Sequence, residues 1–304
     1  MALSSGPCIG ECIYCGARRY SSERVKLGRE HVVPRGLGGQ WTVLEASCKK
    51  CEGIINNEAE NICQSRIMLG PLRYRLGLKP SGLTHLPINI SYDGYYSYET
   101  QIPIEKAPIL LFLPVLAEPG LLRTIFHFSS AHLRAVSRTG PQPERNPFII
   151  PTEPEDPDMP AVFIRAEHDK VLALAAETGA QTVSPFGVTV RAEPLLRMVA
   201  KIAHSFAVYQ MGGVLFKPFL QNLILGEKSS RPISHYVGGD PAVDMHYPLI
   251  ENERHSLELV FGLPEIYKDR LLLVNIHLFR DIGFPSFRAV VGRYRKEHTP
   301  KPRG

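Results

Sequence analysis

The sequence predicts an α+β fold in two parts: a small zinc-stabilised ββα module over residues 1–80, then a larger mixed α+β domain over residues 81–304. Three observations predict it. Two Cys-x2-Cys pairs, Cys12/Cys15 and Cys48/Cys51, bracket a short Glu30-His31-Val-Val-Pro34 stretch. Beyond about residue 80, strand-like alternation in Leu86–Ser91 and Tyr95–Tyr98 replaces the cysteine pattern. The longest segment with helical periodicity comes late, at Glu193–Met211.

The cysteines set the first part. Two such pairs, brought together by the chain between them, offer four soft ligands in a tetrahedron, the arrangement taken by a structural Zn²⁺. With every position filled by protein, that metal holds the fold and leaves chemistry to other groups. The alternative, two disulfides, requires an oxidising compartment. Cys8 reads as a spare thiol, because Cys12/Cys15 mirrors Cys48/Cys51, and Cys63 reads as a packed apolar residue.

Between the pairs, Glu30–Val33 is β-prone, Pro34–Gly39 is a loop, and Trp41–Leu44 returns as a second strand. Gly36-Leu-Gly-Gly39 lacks the context of a phosphate cradle and serves as a tight turn. A helix is expected to start near Cys48, carrying Glu52 and Asn56 on one face, one turn apart. An acid–histidine pair on a strand opposite oxygen ligands on a helix places a hard divalent cation beside a general base. Such a site suits phosphodiester hydrolysis.

These parts, in this order, resemble the four-cysteine zinc-containing branch of the HNH endonucleases, over roughly residues 8–66. The resemblance implies that His31 is the general base, oriented through its second ring nitrogen by a backbone carbonyl. It also implies that Glu30 is the metal-binding acid, and that Glu52 stands where the branch has Asn after its last cysteine. Glu30, Glu52 and Asn56 would then hold a catalytic Mg²⁺ or Mn²⁺. The implied activity is metal-dependent endonucleolytic cleavage of nucleic acid, DNA foremost. Three positions depart from the pattern: Glu30 is one methylene longer than the usual Asp, Glu52 is a carboxylate in place of an amide, and Val43 stands where many members have Asn. Two rival readings are a catalytically inactive zinc-stabilised module that binds nucleic acid or protein, and a purely structural zinc domain.

Composition bounds the rest. Hydrophobic residues at 44% and charged residues at 21% of 304 are those of a globular chain, not a disordered one. The net charge is +5, and residues 1–80 hold all of that excess, with 12 Lys and Arg against 7 acids. Arg18, Arg19, Arg24, Lys26 and Arg29 follow the first cysteine pair, and Lys49 and Lys50 lie within the second. Such a run is either a solvated loop or a phosphate-contacting edge. No apolar run reaches membrane length and no secretory signal precedes Cys8, so no membrane partner is expected and the expected location is cytoplasmic.

Further along, Ala107–Leu122 reads as buried strand plus loop, and 140–160, with seven prolines and several acids, as an extended acidic loop. A strand is expected at Ala161–Ile164. In the helix of Glu193–Met211 the apolar stripe is Leu195, Val199, Ile202 and Phe206, with His204 beside it as a packed residue. A short helix is expected over Pro218–Leu225, then a hairpin of Arg270–Phe279 and Ser286–Val291. Arg293, Arg295, Lys296, Lys301 and Arg303 form a basic tail, read as solvated. The second domain is assigned substrate choice, regulation or partner binding.

Overall fold

The computed structural model describes residues 4–64, 69–78, 84–92, 97–107, 110–114, 116–122, 162–166, 168–185, 192–212, 215–239, 254–262, 270–280 and 284–294. The expected acidic loop at 140–160 and all of the basic tail except Arg293 lie outside them. The architecture is mixed α+β, with several small sheets and a buried four-cysteine cluster.

By contact, the chain divides into two compact units, and a single cut near residue 80 does not reproduce them. One unit joins residues 1–60, 116–134 and 193–304; the other joins 61–115 and 135–192. The reason is physical: the helix at 192–211 buries itself against the first 60 residues, so the cysteine region and the C-terminal third condense together.

In the first unit, β1 (Ser4–Cys8) pairs parallel with β3 (Trp41–Ser47), and β3 pairs antiparallel with β2 (Gly28–His31). The β2–β3 connection turns where expected. Gly38 has φ +87°, and a Cβ on Gly39 would fall 1.9 Å from the Val33 carbonyl oxygen, so only glycine closes this loop. Helix α1 (Lys49–Ile55) follows from Cys48 and runs into a π-turn at Asn56–Glu60, where this unit's first segment ends; α2 (Asn61–Cys63) opens the other unit.

The other unit holds α3 (Gly70–Arg75), β4 (His85–Ser91), β5 (Ser97–Pro103), β6 (Leu110–Pro114), β7 (Val162–Ala166), α4 (His168–Thr178) and β8 (Thr182–Pro185). Its central strand β4 pairs antiparallel with β5 and β8, while β6 pairs with β7. The alternation of β4 turns Leu86, Ile88 and Ile90 into a core shared with Ile102, Ile104 and Leu174.

The first unit resumes with α5 (Ala192–Met211), whose residues 194–208 are all buried. The apolar stripe expected of a half-exposed helix is therefore only part of its inward surface; a helix covered all round belongs in a core. Within Pro218–Leu225, expected as one helix, the helix is α6 (Gln221–Ile224), and Pro218 ends a strand, β9 (Phe216–Pro218). After β10 (Val237–Gly239) come β11 (His255–Phe261), β12 (Leu271–Leu278) and β13 (Ser286–Tyr294), in the sheet order β10-β13-β12-β11, with β9 also on β13. The expected closing hairpin is the antiparallel β12/β13 pair, and every residue of β12 is buried. Among the described residues, no helix is long and apolar enough to cross a membrane.

Candidate functional site

The cysteine cluster is built from two turns. Cys12 and Cys15 lie on a loop closed by the Cys12 N–H donating to Ala17 (2.7 Å) and the Gly16 N–H donating to Cys12 (2.8 Å), with Gly16 at φ +74°. Cys48 precedes α1 and Cys51 lies in its first turn. The four Sγ atoms lie within 4.8 Å of one another, and Cys15 and Cys48 approach to 3.6 Å. A tetrahedral zinc with Zn–S near 2.3 Å sets sulfur–sulfur edges of about 3.8 Å. None of the four is in a disulfide, and all but Cys15 are buried. In this cluster the Cys12 thiol is lowered to about 5, chiefly by a hydrogen bond from Cys51, whose own thiol is pushed up. The donor set, spacing and closure fit a structural Zn²⁺.

Helix α5 holds this cluster from behind. Its His204 donates from Nε2 to the Ile13 carbonyl (2.9 Å), between the first two ligands, and Gln221 of α6 donates to the same oxygen (2.6 Å). The Tyr14 hydroxyl meets Ser205 at 3.1 Å. Trp41 packs against Phe206 and Tyr209, whose ring lies so close over Gly6 that a Cβ there would stand 2.4 Å from it. On the loop after β2, the Leu37 carbonyl accepts from His255 Nε2 of β11 (2.8 Å).

His31 ends β2 on the hairpin framed by the cluster. Its imidazole is half-buried and its basicity is lowered, first by desolvation and then by the charges of Lys201 and Arg35. Among the described residues no carbonyl stands behind the ring: Nδ1 is buried with no hydrogen-bond partner there.

Two of the residues expected around a catalytic divalent ion, Glu30 and Glu52, have protein partners. Lys201 of α5, 1% exposed, reaches Glu30 at 2.7 Å and Glu60 at 2.9 Å, and it also donates to the His31 carbonyl oxygen. Burial raises the Glu30 pKa against the pull of Lys201; burial lowers that of Lys201, but Glu30 and Glu60 carry it above its ordinary value. Glu52 accepts from the Tyr20 hydroxyl at 2.9 Å. Asn56, half-buried, opens the π-turn, its N–H directed at the Glu52 and Gly53 carbonyls. Among the described residues, the four cysteines are the one group of three or more His, Cys, Asp or Glu side chains gathered closely enough to hold a metal. Of the three residues expected to hold Mg²⁺ or Mn²⁺, Glu30 is thus ion-paired with a lysine that it shares with Glu60, and Glu52 is hydrogen-bonded to Tyr20.

Arg197, Lys201, His204 and Ser205 were not singled out for this role by sequence. Yet they follow the spacing i, i+4, i+7, i+8 within an otherwise apolar helix. All four address the N-terminal region, Arg197 through Glu58 of the π-turn at 2.9 Å. A polar stripe of that kind marks a helix whose second face docks on protein. Compared with protein-family models, curated proteins and solved structures, the chain matches none.

Proposed function

We propose that the zinc-framed hairpin and helix form a hydrolytic site for nucleic-acid phosphodiesters, DNA foremost, with His31 as general base. The observation that carries the reading is the place of His31: it ends β2 on the hairpin beside the closed cysteine cluster, with an imidazole that burial makes less basic. A neutral imidazole takes a proton from water as the water oxygen attacks phosphorus and the ester P–O bond breaks. Exposed Arg18, Arg19, Arg24, Arg29, Arg35, Lys49 and Lys50 lie on the same stretch of chain and supply charge to neutralise phosphates. The order of parts resembles that of the HNH endonucleases, and the reading takes from that resemblance the role of His31. It assigns no metal to Glu30, and the four cysteines keep the structural role.

The test is nicking of supercoiled plasmid by zinc-loaded protein, with Mg²⁺, with Mn²⁺ or with neither, beside His31→Ala. Loss of a general base is expected to lower the rate by about 10²–10⁴-fold while the fold and zinc content stay unchanged. Nicking by His31→Ala at the wild-type rate would remove His31 from the chemistry.

A second reading, binding without cutting, is favoured by the engagement of both acids, Glu30 by Lys201 and Glu52 by Tyr20. It predicts plasmid retained in a gel shift by both proteins and nicked by neither.

A further inference from the structure

The Lys201 ammonium is enclosed by oxygen. Its three N–H donors meet three close acceptors: Glu30 Oε1 at 2.7 Å, Glu60 Oε1 at 2.9 Å, and the His31 carbonyl, with the Val32 carbonyl more distant at 3.5 Å. Two carboxylates and two main-chain carbonyls are also the donor set of a hard-cation site. These oxygens come from β2, from the residue after it, and from the end of the π-turn; the cation comes from α5, 170 residues away along the chain. With Lys201 in place the oxygens stand at ammonium distances, wider than the about 2.1 Å that Mg²⁺ takes, so the occupied cage has no room for both cations. The formal charge of the group, two carboxylates against one ammonium, remains negative, so a cation is required wherever the carboxylates are ionised.

We infer that this oxygen cage is a cation site whose resident cation is the Lys201 ammonium, delivered by α5 in place of a free metal ion. The site fixes the end of β2, and with it the backbone of His31, to the central helix. Glu30 is accordingly a positioning residue that acts through the strand, not a ligand of an exchangeable ion. A consequence follows for the empty volume left by shortening Lys201. Its cage would accept a divalent cation, or n-propylammonium, the fragment that an alanine variant lacks.

Cation binding tests this without any cleavage, so its result is separate from whether the hydrolytic reading holds. Zinc-loaded wild-type protein and Glu30→Gln, which keeps the hydrogen-bonding shape, are titrated with Mn²⁺ and followed by electron paramagnetic resonance. The expected result is equal Mn²⁺ binding by the two within twofold. A wild-type site that Glu30→Gln weakens tenfold or more would overturn the inference, since Glu30 would then hold an exchangeable metal beside Lys201. In the positive arm, Lys201→Ala is expected to gain one Mn²⁺ per chain, bound at least tenfold more tightly than any in the wild type beyond zinc. Adding Glu30→Gln should remove it. Millimolar n-propylammonium should raise the melting temperature of Lys201→Ala and leave that of the wild type unmoved. A folded Lys201→Ala protein that responds to neither cation would overturn the inference.

Discussion

Two lysine–glutamate pairs of nearly the same length occupy the two units. In one, Lys106 meets Glu177 at 3.0 Å with both side chains about 60% exposed; in the other, Lys201 meets Glu30 at 2.7 Å with 1% and 8% exposed. Distance does not separate them. Solvent does: an exposed pair exchanges one well-screened environment for another, whereas a buried pair has lost its hydration and depends on its partners being present. Among the described residues of the Lys106 unit, the buried core is apolar around Leu86, Ile88, Ile90 and Ile102, and no charged residue is buried. The Lys201 unit puts Glu30, Glu60, Arg197, Lys201 and His204 inside. Its stability is therefore tied to charge, metal and pH in ways that the other unit escapes.

The sharpest separation comes from zinc. Structural zinc sites in small peptides contribute about 10–16 kcal/mol of apparent binding free energy that is coupled to folding. Here Ile13 and Tyr14, between the ligands Cys12 and Cys15, are hydrogen-bonded by His204, Gln221 and Ser205. Chelation should thus free α5 as well as the two cysteine turns. Hydrogen exchange after zinc removal is expected to show α5 amides losing protection while those of β4 and β5 keep theirs. Equal loss in both would mean that the units do not differ in the way their interiors suggest.

Next in size is Lys201→Met, which keeps the stem and deletes the charge. Breaking a buried pair from one side costs about 3–5 kcal/mol, because the remaining charge stays buried without its partner. Denaturant unfolding should show a loss of that order, and Lys201→Met combined with Glu30→Gln should recover part of it, since one of the two stranded carboxylates is then neutral. A loss below 1 kcal/mol would place the cage in contact with water.

How this unit is assembled was only partly legible beforehand. The cysteine turns, the β2–β3 return and the long helix are local features, set by spacing, by Gly38 and Gly39, and by periodicity. What escaped was long-range. Arg197, His204 and Ser205 find partners 139, 191 and 191 residues away, and no local rule supplies those distances. Glu30 shows the cost of that gap. Its place before His31 matched a metal-binding acid, but its charge partner was a lysine in a helix read only for its apolar stripe. The stripe at 197, 201, 204 and 205 carried the missing information: charged residues at helical spacing are a solvated face only if water reaches them.

A smaller effect tests the same contrast by pH. His204 is buried with its Nε2–H on the Ile13 carbonyl and, among the described residues, no partner for Nδ1, and burial holds its pKa down to about 4 from an ordinary 6.5. The folded pKa is the lower one, so the unfolded chain binds the proton more readily. The stabilisation is fully present above about pH 6.5 and is lost as pH falls toward 4. At about 1.4 kcal/mol per unit, up to roughly 3 kcal/mol is at stake over that window. Comparing wild type with His204→Gln at pH 7 and pH 5 isolates this contribution from loss of zinc. The wild type should lose more stability than the variant on going to pH 5, and parallel losses would remove His204 as the source.

The smallest effect belongs to the other unit. Lys106→Met removes the partner of Glu177 at a distance close to that of the buried pair, yet exposed pairs of this kind contribute about 0–1 kcal/mol. Both heads are hydrated with or without each other, and Glu177 left alone remains solvated. The expected change in unfolding free energy is therefore below about 1 kcal/mol, and it should shrink further in 1 M salt, where the screening length falls to about 3 Å. Measured beside Lys201→Met under the same conditions, it compares an exposed single pair with a buried lysine shared by two carboxylates. If the two substitutions destabilised equally, the pair at Lys201 would owe nothing to its enclosure, and the contrast between the interiors of the two units would have to rest on zinc alone.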